Sequence, residues 1–298
     1  MTNTRAGSAI SKGADGDAIY AAAAWAMTNA TGAAAKGLGA LRGAAMACWA
    51  AIFVGHIIFG TYILAAYGAA TVRGDMIAWN RVWPTGYVSA EPIGNVVVVT
   101  HVLLASVVAI CGSLQLIPAL RRRAPGFHRW NGRIYATTAI VVGLAGLAML
   151  ASGRGFVGAS QNGSVAVNGV LLVICAVMAW RSARARAFAD HRMWALRLFV
   201  LAAGVWFFRI GLAAWIAIND GIVAFDPTTM QGPALMVLAL AEWMVPLAVV
   251  EAYFRVEAAP RAMGRSMVAA LLLALALAMG YGTYRAAVGM WLPAILGH

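Results

Sequence analysis

Seven long apolar stretches constrain this chain more than any other feature. They run over 44–70, 95–118, 131–151, 165–181, 193–218, 232–253 and 266–289. A helix that crosses a bilayer needs about 20 mostly apolar residues, and each stretch meets or approaches that length. No charged soluble domain interrupts them. The expected fold is therefore all-α, a polytopic membrane helix bundle of about seven transmembrane helices forming one domain over 44–298. Residues 1–43 read as an N-terminal cytoplasmic arm, either disordered or a short interfacial helix anchored by Tyr20 and Trp25.

Composition supports this class. The chain is 62% hydrophobic and 11% charged, whereas an average soluble domain carries roughly 25% charged residues. A compact soluble fold lacks the polar surface it would need, and a disordered chain would be far less apolar. The formal net charge of +12 comes from 22 Lys and Arg against 10 Asp and Glu. These cations sit between apolar stretches, so they read as topology signals and not as a nucleic-acid surface. With a cytoplasmic N-terminus, seventeen cations fall on the inner side, four on the outer side, and Arg209 falls inside a span. The positive-inside rule then orients the chain with its N-terminus in and its C-terminus out.

Cys48, Cys111 and Cys175 are scattered through apolar stretches. An odd count without C-x-x-C spacing points to small core residues, not to disulfides or a zinc site. No metal site is expected. The third span carries a stripe of Gly132, Ala136, Ala139, Gly143 and Gly146, all on one helix face. Such a face lets a neighbouring helix approach closely, which places this span at the centre of the bundle.

Two spans open with similar basic segments on the inner side. Phe-His-Arg-Trp-Asn-Gly-Arg-Ile-Tyr begins the third at 127–135, and His-Arg-Met-Trp-Ala-Leu-Arg begins the fifth at 191–197. Helix N-termini carry partial positive charge and free N–H groups. Together with His128 and His191, the residues Arg129, Arg133, Arg192 and Arg197 form a candidate anion site. The bland alternative is positive-inside arginines that snorkel to lipid headgroups, with Trp130 and Trp194 as interface anchors.

Ionisable groups inside spans are costly and mark functional sites. His101, Arg209 and Glu242 lie on the outer half of spans two, five and six. The economical expectation is an Arg209–Glu242 ion pair, either as a clasp between helices or as the wall of a polar cavity. His56, near the middle of span one, is a further candidate for that cavity. Pro246 removes the hydrogen bond that would reach the Glu242 carbonyl and kinks the helix there. The aromatic loop 71–94 reads either as a lid over the cavity or as an interfacial helix. Haem b is one candidate cofactor for His56, His101, His128 and His191, and a quinone is another. Bis-histidine ligation needs imidazoles at matching depth, and His56 and His101 differ by about 10 Å.

The motifs resemble an uncharacterised family of bacterial and fungal predicted multi-pass membrane proteins, a domain of unknown function. The family pattern falls here on His101, Gln115, His128, Arg129, Gly132, Arg133, Tyr135, Gly146, His191, Arg192, Trp194 and Arg197, with Arg209 following. Leu116 and Ala195 depart from it without touching a polar position. The resemblance covers roughly 95–250. It implies a shared fold, and its motif brings in Gln115 as part of the polar set. The expected location is the bacterial inner (plasma) membrane. The resemblance supplies no activity.

Three function classes remain open from sequence. The first is a haem- or quinone-linked redox membrane protein. The second is a binding or transport protein for an anionic or amphiphilic small molecule. The third is a non-catalytic accessory subunit that meets membrane lipids, other subunits or a second copy of itself. No nucleophile–base–acid set is visible, and no nucleic-acid partner is expected.

Overall fold

A computed structural model describes residues 11–83, 85–155, 158–259 and 262–296, with side chains of the first helix described from Ala35 onward. Helix α1 spans Ser11–Ile63 and continues through a π-helical turn, Leu64–Gly68, into α2, Ala69–Val72. A 3-10 turn over Met76–Arg81 precedes α3 (Pro92–Gln115), α4 (Pro118–Arg123) and α5 (Pro125–Ala151). Then come α6 (Asn162–Arg184), α7 (Phe188–Ala202), α8 (Gly204–Ile218) and α9 (Pro233–Ala258). The chain closes with α10 (Ala262–Ala286), a π-helical turn over Ala287–Trp291, and α11 (Leu292–Leu296). Proline stands at the first turn of α3, α5 and α9. It belongs there because the first N–H groups of a helix have no helical partner.

Among the described residues, six helices are long and apolar enough to cross a membrane, and α7 with α8 form a further pair bent by 45°. The stretch expected as the fifth span is thus bent, with α7 and α8 meeting at Ala203 just before Gly204. The first span also differs from expectation. Residues 11–43, read from sequence as an arm, continue α1 without a break. The segment is Ala-rich and contains no proline, which favours helix despite its glycines. Residues 1–10 and the side chains of Tyr20 and Trp25 lie outside what is described.

Helix α5 packs between α3 and α6, and α7 packs on α6. Its small-residue stripe explains this position, since Ala136, Ala139 and Gly143 are buried there. Helix α10 lies along α1, and α1 packs on α3. Outward-facing Leu144, Val237 and Leu277 are exposed, which suits a surface solvated by lipid tails. The interior is aromatic on one side. Trp291, from the end of the chain, packs on Phe59 and Tyr62 at centroid distances of 5.3 and 5.8 Å.

Loop 71–94 folds onto the bundle as a cover. Trp79 is only 1% exposed and donates its indole N–H to Thr71 Oγ1. Asn80 brackets Tyr87, accepting from its backbone N–H and donating to its carbonyl. Arg154, which the sequence reading counted only as an outer topology cation, holds the cover down. Its guanidinium donates to the carbonyls of Thr85 and Gly86, to Asn95 Oδ1 and to Glu91.

Candidate functional site

A cavity of about 200 Å³ lies between the helices, lined by residues that include His56, His101, Asn168, Arg209 and Glu242. Its walls are otherwise mostly apolar and aromatic, with Phe59, Tyr62, Tyr67, Trp83 and Trp206 prominent among them. Four polar residues proposed from sequence therefore meet around one space, drawn from α1, α3, α8 and α9. The π-helical turn widens α1 at Leu64–Gly68, next to the point where Tyr67 joins the wall.

His101 is set by α5. Its Nδ1 lies 2.9 Å from the Val142 carbonyl. A carbonyl only accepts, so Nδ1 carries the hydrogen and donates it. Gly146 makes room for the ring, since a Cβ there would stand 3.0 Å from His101 Cε1. The glycine stripe thus has a second use beyond helix packing. His56 is set in the same manner by α3. It is 3% exposed, with Nδ1 at 3.2 Å from the Ala109 carbonyl and 3.0 Å from Ser113 Oγ. Phe199 and Trp206 meet its ring edge-on.

Glu242 is 5% exposed. Among the described residues, ion pairs join Arg154 to Glu91, Arg192 to Glu257, and Arg197 to Glu251. The Asn168 side-chain amide stands beside the Glu242 carboxyl group at Gly204. Both groups crowd Gly204, where a Cβ would stand 2.6 Å from Asn168 Nδ2 and 3.7 Å from Glu242 Cδ. Glu242 therefore faces the start of α8, where the partial positive charge of a helix N-terminus favours a carboxylate. Arg209 lies five residues further along α8, with its guanidinium 5.8 Å from the Phe59 ring centroid. The register of α9 that allows this comes from Ser164 of α6. It donates to the Ala239 carbonyl and accepts from Trp243 Nε1.

Gln115, grouped with this site by its motif, lies elsewhere. Its amide donates to the His128 carbonyl, tying the end of α3 to the start of α5. His128 and His191 also lie at that arginine-rich end and line no part of the cavity. His128 stands within electrostatic reach of His191, Arg121 and Arg129. His191 Nδ1 donates to the Ala179 carbonyl at 2.9 Å. Of the four candidate anion-binding arginines, two already hold carboxylates. Arg192 binds Glu257 with both terminal nitrogens, and Arg197 Nε binds Glu251 at 2.7 Å. Arg133 lies over the Trp130 ring, and Arg129 is exposed.

Sequence reasoning missed Asn168 and Trp206. Asn168 lies in an apolar span and is not ionisable, so a search for titratable groups passes over it. Its flanking Gly169, a small residue beside a polar one inside a span, is the signal that was available.

No curated protein and no solved structure matches this chain. The family model described as predicted membrane protein (DUF2306) matches residues 98–254. That segment is more than half of the chain and carries His101, Asn168, Arg209 and Glu242, so the chain belongs to the DUF2306 family of predicted membrane proteins.

Proposed function

We propose that this protein binds a small amphiphilic molecule that enters from the bilayer, with a quinone-type ring as the best match. One observation carries the reading. A cavity of about 200 Å³ at membrane depth has an apolar, aromatic wall and a small set of polar side chains, which is the usual character of a small-molecule site. Flat ring ligands suit such walls, and the polar set orients the ring substituents.

The haem reading fits less well at this cavity. His56 reaches α3 at Ala109 and Ser113, while His101 lies eight residues before Ala109 on the same helix. That separation is about 12 Å along the axis, so the two imidazoles do not face one iron. His128 and His191 belong to the other end of the bundle.

The charge asymmetry supports a cytoplasmic location for the arginine-rich end and an outward location for the Arg154-held cover. In that orientation, in a bacterial inner membrane, the cavity lies toward the outer half. Reporter fusions at residue 124 and in the loop after Asn219 test this, with the first expected inside and the second outside.

Ligand binding is tested on protein purified in mild detergent. Organic extraction and mass spectrometry should find a co-purifying ring lipophile. Decylubiquinone or decylubiquinol should quench tryptophan fluorescence saturably, and Gly146→Leu, which fills the His101 side of the cavity, should abolish the quench. Absence of saturable quenching by either form would refute the quinone-type reading. A Soret band would reinstate haem.

A further inference from the structure

The hydrogen-bonding polarity of the cavity carries more than its size does. Because His101 Nδ1 donates to the Val142 carbonyl, Nε2 of the neutral imidazole bears a lone pair and can only accept. Asn168 is 7% exposed. Its amide nitrogen is turned toward Glu242 and Gly204, and its Oδ1 is buried with no partner. Glu242 adds carboxyl oxygens, of which the Asn168 amide engages one side.

These acceptors share one depth. His101 meets α5 at Val142 and Gly146. Gly169, adjacent to Asn168, meets α5 at Gly143 and Leu147. Glu242 meets Asn168 at Gly204. A buried Asn oxygen without a partner is rare and costly, and here it lines a space that a ligand can enter. Donors line the cavity too, the Arg209 guanidinium and Trp206 Nε1 among them, but they belong to the wall beside Phe59 and His56.

We propose that the cavity selects a ring that brings its own hydrogen-bond donors, namely the dihydroxylated quinol form and not the oxidised quinone. This rests on the quinone-type reading above. A quinol has two O–H groups to place among the acceptors His101 Nε2, Asn168 Oδ1 and the Glu242 carboxyl group. A quinone has only carbonyl acceptors, so it sets oxygen lone pairs against those of the protein and leaves Asn168 Oδ1 unpaired. Each acceptor left unpaired lowers affinity by about tenfold or more.

The test uses wild-type protein in nanodiscs under anaerobic conditions, titrated with decylubiquinol, decylubiquinone and the di-O-methyl ether of the quinol. The ether keeps the shape and removes both donors. The quinol should bind at least about tenfold more tightly than the other two. Asn168→Leu should weaken the quinol toward the quinone's affinity and leave the quinone nearly unchanged. Equal binding of all three overturns the donor selection while leaving the cavity as a ring site. Tighter binding of the quinone also overturns it. Binding of none overturns the quinone-type reading and this inference together. The ligand series decides on wild-type protein alone, whether or not the variant folds.

Discussion

Replacing Arg154 by Met should release the cover over the cavity, and the size of the effect separates two accounts of why Arg154 is buried. The guanidinium is 3% exposed as a residue and makes four polar contacts. One is the ion pair to Glu91, whose side chain is 53% exposed. An ion pair with so exposed a partner is worth about 0.2–1 kcal/mol. The other three contacts go to the Thr85 carbonyl, the Gly86 carbonyl and Asn95 Oδ1, at 2.9, 3.1 and 3.0 Å. Hydrogen bonds from a charged donor are worth about 1.5–3 kcal/mol each, offset by the cost of burying the cation. Arg154→Met should therefore cost roughly 3–5 kcal/mol, whereas Glu91→Gln should cost less than about 1 kcal/mol. Amide exchange is the direct assay. The N–H groups of Ala78, Trp83 and Gly86, which bond within the cover, should lose protection in Arg154→Met and keep most of it in Glu91→Gln. Equal losses in the two variants would show that the ion pair, and not the carbonyl clamp, holds the cover. Unchanged exchange in Arg154→Met would refute the staple altogether.

Three further outcomes follow from the site. Double-mutant cycles in detergent unfolding should couple Asn168→Leu with Glu242→Leu by about 1 kcal/mol or more, and additive losses would count against their contact. Gly204→Ala sets two effects against each other. Alanine favours a helix by about 0.5–1 kcal/mol over glycine, but its Cβ would stand 2.6 Å from Asn168 Nδ2. Displacing that amide costs about 1–3 kcal/mol, so the melting temperature should fall, and a rise would mean that the amide yields freely. In the α8–α9 loop, the Thr228 backbone N–H and the Thr229 hydroxyl hold the Asp226 carboxyl below the usual carboxylate range. Its contribution is present above the ordinary value near 4 and is lost as pH falls through the depressed one. Exchange at the Asp226–Gln231 bridge should therefore quicken only in acid, and Asp226→Asn should abolish that dependence.

Much of the architecture was legible in sequence because lipid imposes a length and an apolar composition on every span. The glycine and alanine stripe of α5 announced a central helix for a similar reason, since only small side chains allow close approach. The polar candidates were legible because charge at membrane depth is costly and therefore rare. Their surroundings were not legible. The break before Gly204 gives Glu242 a helix N-terminus and sets it beside the Asn168 amide. A one-residue interruption inside an apolar stretch leaves almost no mark on hydropathy. The positive-inside count also hid Arg154, because it registers charge and is blind to the carbonyls a guanidinium can reach.

Periodicity and composition by themselves determined the helical membrane class, the number of apolar stretches and the short list of buried polar residues. Those follow from solvation of each segment considered alone. Tertiary structure decided which polar groups share a cavity, which nitrogen of each histidine is occupied, and which arginines are already bound to carboxylates. Hydrogen bonds are directional and short, so these outcomes depend on helix register and rotation, and no single segment carries that information.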